Sequence, residues 1–205
     1  MTGTAPTSRS RPAVDLSWVF CWLAAFWGIE MLDLALQVAS MDGSGRPTRS
    51  LDGLGVAPRE PWGLVGVVFA PFLHADFQHL IHNSWSFLIT GMLACRYGRR
   101  LAFTAACVAE VYAGLLTWLI GEPGKVHVGA SGVIFGLIGF VLINAIVRRG
   151  CLPLVLGLVV LLLYGTQLLV GIVPNSDLPI SWQMHLGGLI GGVSAGWWLR
   201  HRRPV

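Results

Sequence analysis

Charge is scarce in this chain. Only 12% of its 205 residues are Asp, Glu, Lys or Arg, against 54% hydrophobic. That balance excludes a soluble globular domain, because the apolar residues come in long runs. The formal charge is +4, but no basic patch with interleaved aromatics is present, so nucleic-acid binding is not expected. The four cysteines, Cys21, Cys95, Cys107 and Cys151, lie in or beside apolar runs and show no Cys-x-x-Cys spacing. A disulfide framework and a zinc site are therefore not expected. No internal repeat and no low-complexity segment is evident.

What is there reads as an all-α polytopic membrane protein. Residues 1–14 are polar and predict a short disordered tail. The run from Leu16 to Val38 is too long for a signal-peptide core and lacks a convincing cleavage site, so a retained helix is expected. Further spans are expected at about 78–95, 101–120, 130–147, 151–173 and 184–199, within a membrane domain of residues 15–201. Residues 202–205 form a second tail. The loop 39–77 is rich in Gly, Pro and charge. Its stretch 62–72 is apolar but too short to span, and Pro71 breaks it, which predicts an interfacial or re-entrant element. Glu30 and Asp33 lie one turn apart in the first span, a costly place for acids, and are expected near the outer interface. Glu110, Asn144 and Gln167 read as polar packing groups.

Six spans put both termini on one side. Ten of the fourteen basic residues fall in the tails and in the second–third and fourth–fifth turns; Arg46, Arg49, Arg59 and Lys125 fall opposite. The positive-inside rule then places both termini in the cytoplasm, and a bacterial inner or plasma membrane suits the basic tails.

Spans two, four and six run in the same direction, and each ends on arginine. Counting back at about 1.5 Å per residue, Ser131 lies roughly 26 Å from Arg148, His185 roughly 22 Å from Arg200, and His79 roughly 26 Å from Arg96, with Asn83 one turn deeper. A serine, two histidines and an asparagine thus share one level in a hydrocarbon core about 30 Å thick. Gly132 and Gly136 lie below the serine, and Gly188 and Gly192 lie below His185. Two glycine-faced helices can approach closely enough for an imidazole to reach a hydroxyl, the arrangement of a nucleophile and its base. Phe135, one turn below Ser131, is placed to pack on the imidazole. His79 and Asn83, at i and i+4, share a helical face and can both donate hydrogen bonds to an oxyanion. Each residue also has a plainer reading: a glycine packing face, a structural histidine, an asparagine bonding between helices. His74, His79 and His82 suggest a metal cluster by type, but no carboxylate or thiol completes a ligand set. His127 reads as a loop residue.

Gly129-Ala130-Ser131-Gly132 resembles the Gly-x-Ser-Gly motif of rhomboid intramembrane serine proteases. His185 with Gly188 and Gly192 resembles that family's last-helix His-x-x-Gly-x-x-x-Gly. His79-Leu80-Ile81-His82-Asn83 resembles its second-helix His-x-x-x-Asn, with His74 at the upstream histidine position. The resemblance implies a six-transmembrane-helix rhomboid-like bundle, without cofactor or metal, that cuts transmembrane or membrane-adjacent proteins near the outer face. It implies Ser131 as nucleophile, His185 as general base and then acid, and Asn83, His79, Gly129 and the Ser131 N–H around the oxyanion. Phe135, Gly132, Gly188, Gly192 and His74 would support them. No acidic third member is expected, so packing must orient His185.

Three departures stand out. Trp62 is followed by Gly63 where many members carry Trp-Arg, leaving Arg49 or Arg59 as substitutes. Phe135 stands where Tyr is common, and His82 adds an imidazole beside the pocket. Two other functions compete. One is a non-catalytic rhomboid-like binder of membrane clients, which has no need of a nucleophile and base at one depth. The other is a small channel or transporter using Glu30, Asp33 and Glu110, but those acids are scattered and no inverted repeat is seen.

Overall fold

The structure, a computed structural model, describes residues 14–174 and 180–202. The tails expected at 1–14 and 202–205 lie outside these residues except for Val14 and Arg202, as does the middle of the loop before the last helix. Six long helices form one bundle: α1 (Ser17–Ala39), α3 (Phe77–Cys95), α4 (Arg99–Ile120), α5 (Ser131–Val147), α6 (Cys151–Ile172) and α7 (Trp182–Trp198). The first loop holds one short α-helix, α2 (Gly66–Phe69), and the 3-10 turns Leu51–Leu54, Pro61–Val65 and Ala70–Phe72. Among the described residues there is no β-strand, only two isolated bridges.

The helices occupy the apolar runs, and polar or flexible residues end them. Asp76 caps α3 by accepting a hydrogen bond from the His79 N–H at 2.8 Å. Gly98 and Gly150, with φ of +111° and +128°, make the tight turns into α4 and α6. α1, α4 and α6 are long and apolar enough to cross a bilayer. The helical turns Pro61–Phe72 and α3, bent by 70° at their junction, together pass the same test. α5 and α7 have 17 residues each, roughly 26 Å, and are short for a hydrocarbon core of about 30 Å. α5 is enclosed by its neighbours, with every residue from Gly132 to Val141 buried.

Two kinds of packing build the bundle. α4, α5 and α7 meet through glycine and alanine. A methyl group added at Gly188 would strike the Gly132 carbonyl oxygen, and one at Gly192 would strike that of Gly136. Ala109 and Ala113 of α4 close the third side of this seam. α1 and α3 meet through rings instead: Trp22 stacks on Phe87 with centroids 5.6 Å apart, and Phe26 and Phe72 pack beside them.

The first loop crosses from α1 to the site end of α5. Asp33 accepts hydrogen bonds from the Leu51 N–H, the Ser50 hydroxyl and the Gln37 amide, so this acid anchors the loop. Val56 and His127 exchange two backbone hydrogen bonds of 2.9 Å. Arg59 donates to the carbonyls of Leu119 and Gly121 at 3.0 and 2.8 Å, supplying partners where α4 ends. Arg49, the other candidate, is exposed. Gly63 cannot carry a side chain, because a methyl there would strike the Ala57 backbone. The apolar stretch 62–72 is a string of short helical turns packed on α4, with Val67 against Gly114. Its end, the Ala70 carbonyl, accepts from the Gly129 N–H at 2.8 Å. The loop therefore holds the segment that leads into Ser131.

Two expectations are corrected here. Gln167 is exposed on the outer side of α6, which carries a continuous apolar face and offers it no packing partner. His82 is also exposed, because three residues after His79 it has turned off the pocket face of α3. Asn144 is buried and bonded to Phe140 and Arg148, and Glu110 is buried with one carboxyl oxygen unpartnered.

Candidate active site

Ser131 is the first residue of α5. The chain reaches it through Gly129, whose φ of +112° strains any side-chain-bearing residue, and then Ala130. The first N–H groups of a helix have no partner within it and carry the positive end of its dipole. Ser131 therefore presents its hydroxyl beside a built-in anion-binding terminus.

His185 stands in the first turn of α7, and the glycine seam sets its distance from α5. Its Nε2 lies 2.9 Å from the Ser131 hydroxyl oxygen, and its Nδ1 lies 2.9 Å from the Gly171 carbonyl oxygen. Phe135 stacks on the imidazole with ring centroids 4.2 Å apart and planes 3° from parallel. That contact holds a ring that is only 7% exposed, while Ser131 remains half-buried. Gly132, Gly188 and Gly192 reach no reacting group; they let the two helices touch.

The third wall comes from α3. His79 and Asn83 both face Gly129: a methyl group there would lie 2.6 Å from the His79 Nε2 and 3.1 Å from the Asn83 Nδ2. The Asn83 amide nitrogen is buried and has no hydrogen-bond partner. A buried, unspent donor beside an open helix terminus is suited to charge that develops during a reaction. His74 lies behind this wall, 1% exposed, with its ring 5.3 Å from that of His79 and 5.4 Å from that of Phe26. Both its ring nitrogens lack protein partners. Among the described residues no group of three or more His, Cys, Asp and Glu side chains converges to hold a metal ion.

Polar groups of the surrounding loops feel the packing. Burial holds the His127 imidazole below its usual range, and the neighbouring Lys125 adds to the effect. Burial pushes the Asp52 carboxyl up to about 6, reinforced by the Asp33 charge beside it.

The structure thus gathers Ser131, His185, Phe135, Gly129, His79 and Asn83 at one end of the bundle. Three further contributors had not been singled out in the sequence: Gly171, Asp76 and the Ala70 carbonyl. Asp76 had a readable signal, an Asp immediately before an apolar run. Gly171 and Ala70 act through their backbones and left none.

Residues 59–202 match the family model described as a Rhomboid domain. Over 203 residues the chain is 36% identical to an uncharacterized protein of Mycobacterium tuberculosis, covering 96% of this chain and 80% of that protein. It is 33% identical over 140 residues to the "Putative rhomboid protease YdcA" of Bacillus subtilis, covering 68% and 67%. It is 29% identical over 147 residues to Rhomboid-related protein 2 of Mus musculus, covering 67% of this chain and 48% of that protein.

Proposed function

The chain belongs to the rhomboid family of polytopic membrane proteins, and from that premise we propose that it is an intramembrane serine endopeptidase working through Ser131 and His185. The observation that carries the reading is the 2.9 Å contact between the Ser131 hydroxyl and the His185 imidazole, held by the stacked Phe135 ring. A packing face alone does not call for a hydroxyl and an imidazole in contact beside an unspent amide donor.

In this reading the Ser131 Oγ attacks the scissile carbonyl carbon and its proton passes to His185 Nε2. The carbonyl oxygen becomes an oxyanion beside the Ser131 N–H, His79 and Asn83, where the helix terminus also favours negative charge. His185 then gives the proton to the leaving amine as the C–N bond breaks. Water, activated by the same imidazole, hydrolyses the acyl-enzyme. The substrates are transmembrane or membrane-adjacent proteins cut near the outer face. Both termini lie in the cytoplasm of a bacterial cell, as the arginine distribution favours.

Covalent labelling of detergent-solubilised protein with a fluorophosphonate probe tests the proposal. Wild type is expected to label. Ser131→Ala and His185→Ala are expected to lose labelling while keeping wild-type thermal midpoints, and to lose cleavage of a transmembrane peptide. Folded wild type that neither labels nor cleaves overturns the reading in favour of a client-binding protein.

A further inference from the structure

The contact between His185 Nδ1 and the Gly171 carbonyl is not explained by packing. A carbonyl oxygen can only accept a hydrogen bond, and a neutral imidazole carries one N–H. With Nδ1 at 2.9 Å from that oxygen, the proton belongs on Nδ1. Nε2 is then a bare lone pair, and the hydroxyl 2.9 Å away must donate to it. The two contacts are mutually consistent in one tautomer only, the one a general base toward serine requires.

We infer that Gly171 is a positioning residue whose main-chain carbonyl fixes the His185 tautomer and supports its positive charge when it takes the Ser131 proton. The inference rests on the protease reading. Gly171 lies in the last turn of α6, where carbonyls have no intrahelical partner and the helix dipole is negative. That end of α6 supplies what an acidic third residue supplies elsewhere: an acceptor for Nδ1–H and negative potential beside the imidazolium. During acylation the Ser131 proton moves to Nε2 as the Oγ–carbon bond forms, while Nδ1–H stays on the Gly171 oxygen. The Nε2 proton then leaves with the amine, and the imidazole returns to the same tautomer.

Residue 171 must also be glycine for the ring to reach its backbone. An added methyl would lie 2.5 Å from the Phe135 Cζ and 3.1 Å from the His185 Nδ1. Alanine therefore forces the last turn of α6 away from the imidazole or the imidazole away from Ser131. Six residues earlier on the same helix, a methyl at Gly165 meets nothing within 4 Å. The two positions form a matched pair: the same substitution in the same helix, with and without a neighbour.

The test combines nitrogen-15 NMR of histidine-labelled full-length protein in micelles, at mildly alkaline pH, with fluorophosphonate labelling rates. His185 is identified by the signal lost in His185→Gln. Wild type is expected to show Nδ1 protonated and Nε2 bare. Gly171→Ala is expected to share the proton between both nitrogens and to label roughly 10- to 100-fold more slowly. Gly165→Ala should match wild type in both respects. A wild-type His185 protonated on Nε2 overturns the inference even if Gly171→Ala fails to fold. So does a Gly171→Ala protein that labels at the wild-type rate, and in either case wild-type labelling leaves the protease reading standing. Wild type that never labels overturns the protease reading, and this inference with it.

Discussion

The α4–α5–α7 seam and the α1–α3 face solve the same packing problem in opposite ways. In the seam, glycine brings backbone against backbone, and nothing is left that can adjust: the atom facing Gly188 is a carbonyl oxygen of α5. On the α1–α3 face, large rings interlock instead: Trp18, Trp22 and Phe26 of α1 lie 5.2 to 5.6 Å, centroid to centroid, from Phe87 of α3, and the contact is made by side chains rather than by backbone. Ser131 and His185 are mounted across the rigid seam, whereas His79 and Asn83 sit on a helix held partly by rings. The spacing between Ser131 and His185 is thus set by backbone contact, whereas that of His79 and Asn83 is set partly by side-chain packing.

The sharpest way to break this contrast is to add one methyl group to the seam. Gly192→Ala pushes a carbon into the Gly136 carbonyl, and we expect a loss of about 3 kcal/mol or more and no labelling. Denaturant titration and probe labelling check both. Arg59 ranks next, because it joins the first loop to the end of α4. Arg59→Ala removes both hydrogen bonds; water replaces the exposed one to Leu119 and the half-buried one to Gly121 is lost, a cost of about 1.5 kcal/mol. Residue 59 has a φ of +62°, so Arg59→Gly, which loses the same bonds, should unfold at a higher temperature than Arg59→Ala.

A smaller effect concerns Asp52. Its carboxyl is raised to about 6 from an ordinary 3.8, so the folded state binds its proton more tightly than the unfolded chain. Stability is greatest below about 3.8, falls as pH rises through 6, and is then level. Asp52→Asn should remove that decline and stabilise the protein at neutral pH by about 1 kcal/mol, discounted because the side chain keeps part of its surface in water. Thermal midpoints across this pH range decide. The smallest change is Gly28→Ala on α1, where the added methyl meets nothing within 4 Å. A gain of up to about 1 kcal/mol is expected, with labelling unchanged. A loss there comparable to that at Gly192 would remove the contrast between the two regions.

Much of this was legible in the sequence for identifiable reasons. Apolar runs bounded by arginine or glycine mark helices, and residue counts from the arginines bring Ser131 and His185 to one level. Periodicity puts His79 and Asn83 on one face, as the structure has them; His82, expected beside the pocket, is turned off it and exposed. The first loop was harder to read. Asp33 and Arg59 were visible as charges, but their partners are backbone atoms of Leu51, Leu119 and Gly121, which only the tertiary path brings near. Gly171 was invisible for a related reason: its contribution is a carbonyl every residue possesses, and only the crowding around it makes the position special. Gln167 misled because a polar residue in an apolar helix was taken to need a buried partner, whereas it points away from the bundle.

The seam also bears on how the protein responds to different lipids. A bilayer that does not match the bundle acts through tilt and stretching of the helices it touches. α6 presents Leu158, Leu162 and Leu169 outward and α1 presents Phe20 and Leu32, so hydrophobic mismatch acts first on them. α5 is shielded and locked to α7 at two successive carbonyls, so the serine and the histidine move together or not at all. Membrane composition would then reach the imidazole through α6, whose Gly171 carbonyl meets it, while the Ser131–His185 spacing set by the seam stays the same from one membrane to the next.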